Sequence, residues 1–200
     1  MDTILVAFGH KARHGKDTAV KAIIDKFGSQ YDIRRYSFAD GIKRELEGLN
    51  QFEICWRNGI KFDSDPDMTD PLCPKGKQSA LLQYWGQMKR EEDPFYWVNK
   101  LRASIAADQP QIALISDMRA LNELLYVKSM RGYTVKVTRQ GFVDLSRDPN
   151  HVSETALDRV EFDYEISVLE GQVEQLKLDA CEIFQMIVDA QQPNVDAIAA

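Results

Sequence analysis

Two kinds of apolar spacing alternate along the chain. Thr3 to Phe8, TILVAF, is an almost continuous apolar run, as expected of a strand buried on both faces of a sheet. From Lys16 onward Ala19, Val20, Ile23, Ile24 and Phe27 recur at the three-to-four spacing of an amphipathic helix, which Gly28 stops. YDIRRYSFA (31–39) predicts a second, more polar strand, and DGIKRELEGL (40–49) a short helix. Over 50–78 the periodicity lapses, and Pro66, Pro71, Pro74 and several aspartates mark an insertion, the kind of segment that carries substrate contacts. SALLQYWGQMKR (79–90) and PFYWVNKLRASIAAD (94–108) predict two further helices, with Asp93-Pro94 as N-cap and first helical residue of the second. QIALIS (111–116), YTVKVTR (133–139) and DYEISVL (163–169) read as strands. The helix ALNELLYVKSMRG (120–132) and the polar segment 140–160 lie between them. A final helix runs from Gln172 to Ala190, and 193–200 reads as a flexible tail.

Repeated strand–helix units predict an α/β protein: a parallel sheet of about five strands with helices on both faces, in one domain over 1–192. In such sheets the ligand crevice lies beyond the carboxyl ends of the strands. Composition narrows the class further. At 44% apolar and 28% charged residues the chain is an ordinary globular one, with no apolar run long enough to span a bilayer and no signal peptide. Cys55, Cys73 and Cys181 neither pair evenly nor stand at zinc spacing, so they read as reduced thiols in a cytoplasmic protein. A net charge of −6 argues against a broad basic face for duplex DNA and leaves room for a local basic cleft.

The candidate chemistry sits where the first strand meets the first helix, in FGHKARHGKDTAV. Gly15-Lys16 in that context suggests a phosphate-binding loop, although the usual G-x-x-x-x-G-K-[ST] spacing fails twice. His10 stands where the first glycine belongs, and Asp17 separates Lys16 from the hydroxyl of Thr18. Loop amides from Gly9, His10, Lys11, Arg13, His14 and Gly15 would cradle phosphates at a helix N-terminus, and Lys16 would supply a fixed charge. For the histidines, loop shaping is the equal alternative to phosphate contact. Asp17 or Thr18 would serve Mg²⁺, a choice that remains open on sequence.

The loop, together with FADGIKREL, LLQYWG, DPFYWV, SDMRALNE and HVSETAL in that order, resembles the deoxynucleoside monophosphate kinases of tailed phages, within the nucleoside monophosphate kinase superfamily. The resemblance covers most of the chain. It departs from the family in three places: five residues separate Gly9 from Gly15, Ser79-Ala80 stand where arginines can precede LLQ, and ISVLEG lacks an asparagine. It implies a P-loop kinase fold using ATP and Mg²⁺, with the insertion 50–78 as substrate region and 139–160 as lid. Lys16, Asp17, Arg119 and Arg147 would be catalytic, and Arg139 would join the loop in holding ATP. Asp40, Lys43, Gln83, Lys89, Arg90, Asp117, Arg119 and Glu154 would hold the acceptor, with Asp117 also near the metal. Glu123 would orient Arg119.

Bland alternatives stand beside each of these. Asp117 could cap a helix, Lys89 and Arg90 could be solvated, and Arg147 and His151 could belong to an ordinary polar loop. Tyr84, Trp85, Phe95, Tyr96 and Trp97 fit a core better than a stacking platform. The reaction expected is transfer of the γ-phosphoryl of ATP to a deoxynucleoside monophosphate. The rival is phosphorylation of 5-hydroxymethyluracil within DNA, as related phage kinases do. A non-catalytic nucleotide-binding module comes third; a guanine switch is disfavoured because Asn99-Lys100 lacks the aspartate of N-K-x-D. No membrane partner is expected, and the sequence leaves monomer or homodimer open.

Overall fold

The computed structural model describes residues 3–61, 78–142 and 152–191. Arg147, His151, Cys73, the three prolines of the insertion and the tail after 191 lie outside the described residues. In chain order the elements are β1 (Ile4–Gly9), α1 (Lys16–Phe27), β2 (Ile33–Tyr36), α2 (Phe38–Leu46), α3 (Gln51–Arg57), α4 (Ser79–Glu92) and α5 (Tyr96–Asp108). There follow β3 (Ile112–Met118), α6 (Leu121–Ser129), β4 (Tyr133–Gln140), α7 (Val152–Thr155), β5 (Tyr164–Leu169) and α8 (Val173–Gln191). They form two compact units, Met1–Arg35 with Gln109–Ala200, and Tyr36–Asp108.

The first unit is built on a five-stranded parallel sheet in the order β2-β3-β1-β4-β5, with β1 at its centre. Ile4 pairs with Ile112 and Ala7 with Ile115 on one side, and Val6 pairs with Tyr133 on the other. Period-two alternation assigns the faces of β1. Val6 and Phe8 enter a core with Val20, Ile23 and Phe27 of α1 and with Phe184 and Ile187 of α8. The rings of Phe27 and Phe184 lie 4.9 Å apart. Leu5 points to the turn after α6, where a Cβ on Gly132 would fall 2.8 Å from the Leu5 Cβ. Burial of both faces explains why β1 and β3 are apolar almost throughout.

In the second unit α2, α4 and α5 pack together around Trp97, whose indole N–H donates to the Gly86 carbonyl at 3.0 Å. Gly41 lets the ring approach, since a Cβ there would stand 3.3 Å from it. Of the five aromatics weighed as core or platform, Trp97 is core and Phe95 is exposed.

Three expectations need correction. The strand proposed over 31–39 covers only Ile33–Tyr36, because Phe38, Ile42 and Leu46 already follow the helical phase of α2 and are buried. The segment after Asn50 was expected to lack periodic structure, yet it opens with α3, whose Glu53 amide donates to the Asn50 side chain at 2.9 Å. That is an N-cap signal readable in the sequence. The segment 140–160, read as a polar loop, holds one turn of helix, α7, among its described residues.

Candidate functional site

The loop His10–Gly15 leaves the carboxyl end of β1 and delivers Lys16 to the first turn of α1. Its backbone is left-handed at three places: His10 (φ 91°), Arg13 (φ 57°) and Gly15 (φ 99°). Gly15 is required on two counts, since a Cβ there would also fall 2.5 Å from a methyl of Leu176. His10 is the more informative residue. It occupies the position of the missing glycine and still adopts a glycine-like backbone, at a steric cost that surrounding contacts must offset.

Lys16 is 4% exposed. Its ammonium donates to the carbonyls of His10, at 3.2 Å, and Lys11, and it pairs with no carboxylate among the described residues. Burial, reinforced by the charge of Arg119, pushes its pKa down to about 7 against the pull of Asp117, Glu154 and Asp17. A desolvated cation held only by backbone carbonyls, at a helix N-terminus, fits an incoming phosphate.

Arg119 follows β3, and Glu123 accepts the backbone N–H groups of Arg119 (2.7 Å) and Ala120 (3.0 Å). The Arg119 guanidinium donates at 3.0 Å to one oxygen of Glu154, whose other oxygen accepts the Ala12 N–H at 2.9 Å. His14 is buried, and its Nδ1 accepts the Arg139 N–H at 3.0 Å. Burial and the surrounding cations, Lys16 foremost, lower its pKa to about 4. His10 is pushed in the same direction by burial, which outweighs its 3.1 Å contact with Asp158. The Arg139 guanidinium lies 3.3 Å from the centroid of Phe142 and pairs with Glu170 at 3.4 Å.

The two candidate metal positions part company. The Asp17 side chain is 77% exposed and pairs with Arg35 at 3.3 Å. Thr18 lines a groove of about 500 Å³ with Lys21 and Asp25 of α1 and Leu178 and Cys181 of α8. Among the described residues no three His, Cys, Asp or Glu side chains converge. Mg²⁺ asks for less: one or two carboxylates, with water and substrate phosphates completing the shell. Asp17 and Asp117 are carboxylates of the kind such a site takes.

The acceptor candidates on the second unit stand on α2 and α4. Asp40 pairs with Lys43 at 3.1 Å and Lys89 with Glu92 at 2.8 Å, while the buried Gln83 amide nitrogen has no hydrogen-bond partner among the described residues. Glu45, which spacing did not single out, collects Tyr96 (2.6 Å), Lys100 (2.9 Å) and Trp85 (3.0 Å). Arg35 and Asp158 were missed as well. Each meets its partner only through the fold, and no local spacing announces it.

No protein-family model matches the sequence, and no curated protein matches it. The structure is similar to shikimate kinase from Acinetobacter baumannii in complex with shikimate, at 12% identity and a TM-score of 0.50 over 96% of each chain. It is also similar to an unliganded sugar kinase from Janibacter sp. HTCC2649, at 12% identity and a TM-score of 0.41 over 96% of this chain and 100% of that one. The first likeness bears on fold alone. The chain shares the five-stranded parallel α/β fold of that structure.

Proposed function

We propose that the protein is a P-loop phosphotransferase that moves the γ-phosphoryl of ATP to a deoxynucleoside monophosphate. The observation that carries the reading is Lys16, a buried cation with no carboxylate hydrogen-bonded to it among the described residues, at the end of a loop that is left-handed at His10 without its first glycine. Phosphoryl transfer asks mainly for positioning and charge, and the residues present supply both. Lys16 and the loop amides bind the donor phosphates. Arg119 and Arg139 offset charge on the transferring group, as does Arg147 outside the described residues. The acceptor's phosphate oxygen forms the new P–O bond as the bond to the β-phosphate oxygen breaks, giving ADP and a nucleoside diphosphate. Asp17 or Thr18, with Asp117, would hold Mg²⁺, which when bound neutralises phosphate charge. Asp40, Lys43, Gln83, Lys89 and Arg90 are proposed to hold the acceptor.

The test is ATP labelled at the γ-phosphate, offered with a panel of deoxynucleoside monophosphates, hydroxymethylated DNA, plain DNA and shikimate. Label should pass to a mononucleotide. Transfer to hydroxymethylated DNA alone would move the acceptor to a base in a polymer, and transfer to shikimate would move it to a small alcohol. No ATP binding at all would end the phosphotransferase reading.

A further inference from the structure

A buried carboxylate beside a phosphate site needs a reason, because it repels the ligand and is costly to desolvate unless each oxygen is satisfied. Glu154 is 8% exposed, and its charge acts on Lys16. One oxygen takes the N–H of Ala12, which stands between the left-handed residues His10 and Arg13. The other takes the guanidinium of Arg119, which enters from the end of β3. One turn further on, Asp158 contacts the side chains of His10, at 3.1 Å, and Lys11, at 3.3 Å. Three consecutive loop residues are therefore held by two carboxylates from one short segment. They include the residue whose backbone a glycine would normally adopt without strain.

We infer that Glu154 is a positioning residue: it brackets the strained loop at Ala12 and sets Arg119 in register with it, so that amides and guanidinium face one anion. The inference rests on the phosphotransferase reading and adds a cause for the loop's shape. A loop with glycine at position 10 would relax into this conformation unaided; with His10 there, an external hold is needed. Ala12 gives its N–H to the bracket, which leaves the phosphates to the amides nearer the helix and to Lys16. Glutamine cannot replace Glu154, because both partners are donors and the amide would present one oxygen and one NH₂.

The test reads the bracket first without nucleotide. Amide hydrogen exchange is followed in the wild type, Glu154→Gln, Arg119→Gln and the double variant. Both single variants should speed exchange at Ala12 by about tenfold or more, the double variant should be no faster than the worse single, and core amides of Val6 and Ile23 should not change. Titration calorimetry with ATP·Mg²⁺ then reads the consequence, and Glu154→Gln should weaken binding by about tenfold. Unchanged Ala12 exchange in Arg119→Gln, a uniform rise at every amide, or wild-type ATP affinity in a folded Glu154→Gln protein would each overturn the assignment. If Glu154→Gln does not fold, Arg119→Gln decides from the other end of the bridge. If the wild type does not bind ATP, the phosphotransferase reading fails, and Ala12 exchange still decides whether Glu154 holds the loop.

Discussion

The loop of the first unit and the Glu45 cluster of the second are both dense in charge, and they differ in whether the charge is satisfied. Around Glu45 burial would raise the carboxyl's pKa, but hydrogen bonds from Tyr96, Lys100 and Trp85 outweigh it and hold the group below its ordinary value. Every partner there is a side chain of the same unit, and the cluster completes itself. Around Lys16 the balance is reversed: burial dominates and the nearest hydrogen-bond partners are carbonyls, so the ammonium loses protons near neutrality. A self-satisfied cluster supports a fold, whereas an unsatisfied one is a place for a ligand. Perturbed titration therefore marks a functional site when desolvation outweighs the nearby counter-charges, as at Lys16, and it is a weaker guide when its cause is a completed network.

The largest expected effect lies on Lys16. Lys16→Met should cut phosphotransfer by at least about 10²-fold, since a fixed charge on the donor phosphates is lost. The melting temperature should hold or rise, because a desolvated ammonium gives way to an apolar chain of similar length. Label transfer and thermal melting on the same preparation check both halves. Near-normal turnover in the folded variant would remove the site.

Glu45→Ala should behave the other way round. It leaves the Tyr96 hydroxyl and the Trp85 N–H without their acceptor, a loss of about 1–3 kcal/mol in stability by denaturant titration. ATP·Mg²⁺ affinity should stay within about twofold, the range expected for a residue that acts only on the fold. A drop in affinity at unchanged stability would put Glu45 in the binding machinery and undo the contrast.

Sequence patterning revealed the sheet, the α1 core face and the place of Lys16, because burial on a regular element writes itself as spacing. It also marked Arg119 and Glu154, through resemblance. What it could not reach were partners far apart in the chain, such as His14 with Arg139, Glu154 with Ala12, and Glu45 with Tyr96. The left-handed His10 was equally hidden. A motif read as residue types scores His10 as a defect, whereas its backbone is left-handed and its side chain meets Asp158, far down the chain.

The histidines give a pH test of the loop in a window above the one in which the depressed Glu45 titrates. His14 has a pKa of about 4 when folded, below the ordinary 6.5. Between those values the unfolded chain binds more protons, so stability should fall as pH drops through that window and level off below it. His14→Asn keeps an acceptor for the Arg139 N–H and cannot titrate. Its melting temperature should fall less steeply than the wild type's between pH 6.5 and 4.5, with His10 leaving a residual slope of the same sign. Parallel slopes would mean that His14 is not held neutral.

The smallest effect concerns Asp17, which lies at the edge of the loop and pairs with Arg35 at 3.3 Å on an exposed surface. Pairs of that kind contribute about 0–1 kcal/mol, so Arg35 restrains the carboxylate only lightly. If Asp17 serves the metal, the carboxylate freed in Arg35→Ala should lower the Mg²⁺ concentration needed for half-maximal rate by about twofold, and Asp17→Ala should raise it by more. Asp17→Ser would restore the common G-K-S order and should recover part of that loss. Thr18→Val should leave the titration unchanged, since Thr18 lines the groove between α1 and α8. The opposite pattern, a shift for Thr18→Val and none for Asp17→Ala, would give the metal to the hydroxyl. Asp17 would then be an acidic residue in the first turn of α1, favoured there by the helix dipole and by Arg35.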